Sequence, residues 1–241
     1  MLKKVFASIG IGAAQIDAVL EDDHIEQGSE VRGYFDIRGG DVEQEIDHIN
    51  LNLMTRAKTD EAWHSVCLAS MKVAGSFKLQ PAEQKRLPFS FRLHPETPIT
   101  ALELRNNQSV VWLQSSLDID NALDPTDKDY LWVYPSQVVR HFMTALEEAG
   151  FGMVKADVEK GYLRTRTFAS RSGCYQELEY RPLNWRSGTR EIELSFVPDG
   201  EIMHCLIEVD RGFMGDGYVA LSVPASASLL DVKRELQKRL G

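Results

Sequence analysis

The residues that could do chemistry are scattered rather than assembled. The cysteines are Cys67, Cys174 and Cys205, and the histidines are His24, His48, His64, His94, His141 and His204. His204-Cys205, with Cys174, is the one Cys/His grouping that invites a metal test. A zinc centre needs three or four convergent ligands, and no C-x-x-C or similar local spacing supplies them. Buried reduced thiols are the better reading. Asp118, Asp120, Asp124, Asp127 and Asp129 offer hard oxygen ligands suited to calcium, but the EF-hand order with its central glycine and final glutamate is absent. A solvated linker fits them better. No G-x-S-x-G marks a nucleophile, and the glycines of Gly212–Gly217 are not followed by the Lys-Ser/Thr of a phosphate loop. That run reads as a hairpin loop. The expectation is a non-enzymatic chain with no cofactor and no metal.

Composition narrows the classes further. The chain has 241 residues, 43% hydrophobic and 26% charged, as in a folded protein of one large β unit or two small domains. Its formal charge is -9, so an electrostatic case for nucleic acid is missing. An odd number of cysteines points to reduced thiols in the cytoplasm. No apolar run is long enough to span a membrane. The start, MLKKVFASIGIGAA, resembles a short signal peptide, but Gly10 and Gly12 interrupt its apolar core. An amphipathic lead-in that packs on the protein is preferred over secretion or a membrane-surface contact.

The elements that must position these residues are mostly strands. In Val31–Arg38, Val31, Gly33, Phe35 and Ile37 share one face, and in His48–Leu53, Ile49, Leu51 and Leu53 do. Gly39-Gly40 breaks the two, and the expectation is a core hairpin. Leu87–Leu93 alternates cleanly, with Pro88 suggesting an edge strand. His94–Pro98 is a stiff connection. Asn121–Asp129, with Asp124-Pro125, is the best linker. Beyond it, Ser136–Ala149 has helical periodicity with Gly150 as its stop, and Ser228–Leu240 has an S-x-x-D cap at Ser228 and Asp231. Strands are expected at 153–159, 175–180, 192–197, 205–210 and 218–223. The tryptophans Trp63, Trp112, Trp132 and Trp185 are expected mostly in the core or between domains.

The run SIGIGAAQIDAVLEDD, followed by Gly28, Val31, Arg32, Gly33, Ile37, Gly39, Gly40, Val42, Gln44, Ile46 and Asp47, resembles the start of the sporulation-control protein M family. LPFSFRLHPETP at 87–98 is similar to the aromatic strand and proline connection of arrestin-type domains. Asp127, Asp129, Val133 and Pro135 match the start of the family's second half. The resemblance covers most of the chain and weakens after residue 150. It implies a mainly β, arrestin-like fold of two tandem β-sandwich domains; the linker divides them into 1–124 and 129–241, and the periodicity adds helices near 136–149 and 228–240 to the second. It also implies a regulatory or scaffold role through a protein partner, with no catalytic residues. The alternative is a small-ligand or carbohydrate-binding β-sandwich. The polar face of the opening strands, with Arg32, Gln44, Asp47 and Asn50, is the candidate partner surface.

Overall fold

The structure is a computed structural model that describes residues 13–119, 124–184, 190–210 and 216–240. The lead-in at 1–12, Asp120 and most of the 212–217 loop therefore lie outside the described residues.

Alternation dictates the first half. β1 (Gln15–Leu20), β3 (Glu30–Arg38) and β7 (Gln84–Arg92) form an antiparallel three-stranded sheet with β3 in the middle. Facing it are β4 (Gln44–Lys58), β8 (Val111–Ile119) and β9 (Thr126–Tyr130), with β5 (Trp63–Ala74) and β6 (Phe77–Leu79) on the other side of β4. Phe35 and Ile37 from one sheet and Ile46, Ile49, Leu51 and Leu53 from the other meet in one core, and each is wholly buried. Each such side chain contributes about 1.5–3 kcal/mol on leaving water. Phe35 and Phe89 are 4.6 Å apart between ring centroids. Pro88 lies on β7, which among the described residues pairs only with β3, so the edge position expected of it is the one observed.

The expected hairpin over Val31–Leu53 is not one. β3 and β4 carry the two apolar faces, but they belong to opposite sheets and face each other across the core. Gly39 makes the crossing possible: a Cβ there would sit 2.1 Å from the Gln80 carbonyl oxygen.

The second half is a meander of β11 (Phe151–Lys160), β12 (Cys174–Pro182), β13 (Glu191–Asp199), β14 (Ile202–Asp210) and β15 (Asp216–Pro224), antiparallel throughout. α1 (Gln137–Glu148) and α2 (Leu229–Leu240) cover one face of it. Val138, Val139, Phe142 and Leu146 pack with Tyr180, Leu194, Cys205 and Val232. Gly150, at φ +87°, ends α1, and its N–H donates to Glu147 O. Asp231 accepts from the Ser228 N–H and hydroxyl, the capping box read from the sequence. The layer packed on this sheet is helical, where two tandem sandwiches called for a second sheet.

The boundary expected between 124 and 129 also moves. β9 pairs with β8, and β10 (Trp132–Tyr134) pairs in parallel with β2 (His24–Glu26). Leu131 and Val133 belong to the first core. Residues 126–129 of the expected linker are part of strand β9, so the first core runs on to Val133 and the change of core falls at Pro135-Ser136. The halves also interlock. Ile99 packs in the second core and Cys174 in the first, while Gln176 Oε1 and Nε2 bond the Ile99 backbone at 2.8 and 2.7 Å. Glu96, in the His94–Pro98 connection, accepts from Arg171 N, Ser172 N and Ser172 Oγ.

Candidate interaction surface

The four residues expected to form a docking face do not share one. Arg32 lies on the outer face of the three-stranded sheet and forks onto Glu30 Oε2 at 2.5 and 3.0 Å. Gln44 is buried; its Oε1 accepts from Ala14 N at 2.7 Å, so it holds the chain start in place rather than facing a partner. Asp47 is exposed at a bulge in the opposite sheet, and Asn50 is half-buried, paired with Ser116 and Lys72. Period two reveals which alternates face water, but not which sheet a strand joins.

The densest charge lies on the meander face away from the helices. Glu179 stands opposite Glu193, and Glu193 opposite Glu208; Asp157 stands opposite Glu177. Like charges directly across a sheet oppose folding. Three cations offset them. Lys58, at the end of β4, reaches Asp157 at 2.5 Å and Glu159 at 2.9 Å. Lys155 is 2.9 Å from Asp157 and 3.5 Å from Glu179. Arg181 is 2.7 Å from Glu179 and 2.9 Å from Glu191. Only 1% of the Asp157 side chain meets solvent.

The remaining carboxyls respond by holding protons. Burial, with Glu193 and Glu159 next to it, pushes Glu177 up to about 8. Burial and Glu208 push Glu193 up to about 7. Glu179 also rises, through burial and Glu191. Burial works against the charge of Lys58, but its hydrogen bonds to Asp157 and Glu159 win and raise it. This arrangement keeps protons on a sheet face near neutral pH. It also binds the tip of β4 to β11, where the backbone supplies one parallel bridge, Lys58 to Glu159.

A second feature is geometric. β5 pairs with β4 along Trp63–Ala74, and among the described residues no strand takes its other side. Its twelve residues, WHSVCLASMKVA, contain one lysine, no acid and no proline. β7, also an edge, carries Lys85, Arg86, Pro88 and Arg92. Proline and charge block edge pairing, so β7 is protected and β5 is open. The signal for β5 was present in its composition, but its edge position was not.

The other candidate groups resolve as follows. His204 and Cys205 point to opposite faces: Cys205 is in the helix-covered core, while His204 stacks on Phe168 and bonds Ser222 Oγ at 2.7 Å. All three thiols are free. Of the linker aspartates, Asp127 and Asp129 gather with Asp17, not with one another's neighbours in sequence. Burial and the hydrogen-bonded Asp127 push Asp129 up to about 7, while Asp127 accepts from Ala18 N at 3.0 Å. Asp118 pairs with His48 at 3.1 Å, and Asp124 Oδ1 accepts from Ile119 N at 3.1 Å. Carboxylate groups able to hold a cation are Asp17/Asp127/Asp129, Asp157/Glu159/Glu177 and Glu179/Glu191/Glu193, together with Asp22/Asp23/His24. Protein cations already contact the second and third of these. Trp112 is buried as expected, but Trp63 and Trp132 are exposed; Trp185 lies outside the described residues.

Comparison with known proteins agrees along the chain. The family model described as SpoOM protein matches residues 2–213. The sporulation-control protein spo0M of Bacillus subtilis (strain 168) is 34% identical over 254 aligned positions, spanning 99% of this chain and 95% of that one. The crystal structure of Spo0M from Bacillus subtilis superposes with a TM-score of 0.80 at 30% identity, covering 95% of this chain and 98% of that one. The mainly β architecture with two helices is that of the relative. No described helix is long and apolar enough to cross a membrane. With matches of this extent, the chain belongs to the SpoOM protein family.

Proposed function

We propose that the protein is a non-enzymatic, cytoplasmic scaffold of arrestin-like type that carries out its regulatory role through protein–protein contact. Membership in a family of sporulation-control proteins supports regulation. Two cores, one between two sheets and one between a sheet and two helices, support a tandem arrangement in which the first half carries the arrestin-like sandwich. The observation that carries the reading is the open side of β5, twelve residues long, with no proline or acid and Lys72 as its one charged guard. A partner strand added there would satisfy a row of backbone N–H and C=O groups at once, a common mode of β recognition.

The test uses neighbouring prolines. Consecutive residues of a strand direct their N–H groups to opposite sides, so of Ser65 and Val66 one bonds β4 and the other faces out. Ser65→Pro and Val66→Pro are compared in affinity capture from native cells, with circular dichroism as the folding check. The variant that retains its fold loses the captured partner. A folded proline variant that captures the same proteins as the parent overturns the reading.

A further inference from the structure

We infer that Tyr130, Trp132 and Tyr134 form a stripe that docks an extended partner segment bearing arginine or lysine at alternate positions, on a surface separate from β5. Leu131 and Val133 anchor this stretch in the first core, so the three aromatic residues between and beside them all point outward. They are 58%, 52% and 40% exposed. Trp132 and Tyr134 are alternate residues of β10, about 6.8 Å apart at twice the rise per residue, and Tyr130, at the end of β9, precedes them; an extended partner repeats its side chains at the same distance. The parallel pairing with β2 puts His24 beside Trp132 and Glu26 beside Tyr134 on the same face. His24 stacks on Tyr134 at 5.9 Å, and Trp132 N donates to Asp23 O at 2.8 Å.

The cationic character of the partner follows from charge and from what the chain does elsewhere. Asp22 and Asp23 are exposed next to the β2–β10 pair; among the described residues only His24 lies within ion-pair distance of them, while Arg140 pairs with Glu26 and Arg32 lines the same pocket as Asp22. Two other exposed rings and one half-buried ring lie under the chain's own cations: Arg56 over Trp63 at 4.5 Å, Arg164 over Tyr162 at 5.6 Å and Arg86 over the half-buried Tyr34 at 4.2 Å. Lys128 lies over Tyr130 at 4.7 Å on one side of the stripe. Among the described residues, no lysine or arginine lies over Trp132 or Tyr134. An open indole beside two carboxylates attracts a guanidinium or ammonium through both the ring quadrupole and the charge.

The probe is a fluorescent peptide of four Thr-Arg repeats, titrated by anisotropy at 0.15 M salt against the full chain. Four Thr-Ser repeats and cellohexaose, as competitors, serve as comparators. Trp132→Ala leaves net charge unchanged, so its loss reports the ring; the expected weakening is about fivefold, in line with an exposed cation–π contact. Trp132→Phe stays within about twofold of the parent, and the double change Asp22→Asn, Asp23→Asn weakens binding about threefold. These two carry the test if Trp132→Ala fails to fold. The folded β5 proline variant binds the peptide normally, which separates this site from the edge proposed above. Parent-like affinity in folded Trp132→Ala, parent-like affinity in the double asparagine variant, or equal binding of Thr-Ser repeats or cellohexaose overturns the inference.

Discussion

Replacing Glu177 by glutamine should stabilise the protein at alkaline pH and leave it unchanged near pH 5. Glu177 faces Glu193 and Glu159, with Asp157 and Lys58 also near it, and its carboxyl is raised from 4.5 to about 8, chiefly by burial. Between those values the native state keeps a proton that the unfolded chain has released. Stability therefore falls as pH rises through this window, and the full cost is present above about 8. At 1.36 kcal/mol per pH unit the rise is worth at most about 5 kcal/mol. Water entry and movement of Lys58 relieve part of it, so about 2 kcal/mol is the expected gain for Glu177→Gln at pH 8.5. In a chain of this length that corresponds to about 4–8 °C in Tm. Urea or thermal unfolding of both proteins at pH 5, 7 and 8.5 measures the difference, which should grow from near zero to its full size. A variant equally shifted at all three values, or destabilised at pH 8.5, would refute the burial and charge reasoning. Glu193, held at about 7, adds to the same slope in the parent and remains in the variant.

Two further outcomes follow from the seam. Lys58→Met keeps the length of the side chain but leaves Asp157 with Lys155 alone; urea unfolding should show a loss of about 3 kcal/mol, the usual cost of breaking a buried pair. A fragment ending at residue 124 lacks β9 and β10 and should fail to give a cooperative thermal transition, whereas one ending at 135 keeps Leu131 and Val133 in the core and should melt cooperatively.

Much of the secondary structure was legible because alternation and helical periodicity are local. The five strands of the meander and both helices fall where the residues place them, and the Ser228/Asp231 cap and the Gly150 stop do what their types require. What was not legible is non-local. Val31–Arg38 and Gln44–Leu53 show the same apolar rhythm whether they pair in one sheet or face each other from two. The crossing at Gly39 is visible only once Gln80 is placed against it. Thr126–Asp129 reads as linker because polar residues without an apolar alternate hide a strand, even one whose partner, β8, is close by in the chain.

The same limit explains the candidate surfaces. Exposure along a strand can be read from alternation, which is why Arg32 and Asp47 are indeed outward. Gln44 looked equally polar, yet one backbone N–H from a segment thirty residues away made it a structural acceptor. The carboxylate rows were invisible because Glu179, Glu193 and Glu208 are unremarkable singly and become a repelling row through register alone. β5 carries the reverse lesson. Its single lysine and lack of acid and proline suit a central strand, paired on both edges, as well as an edge left open for a partner. Only the pairing decides between them, since the same twelve residues are inert when covered and adhesive when not. In this fold β4 takes one side of β5 and, among the described residues, no strand takes the other, so the pairing resolves what composition alone leaves ambiguous and leaves β5 as the edge to which the proposed partner strand would add.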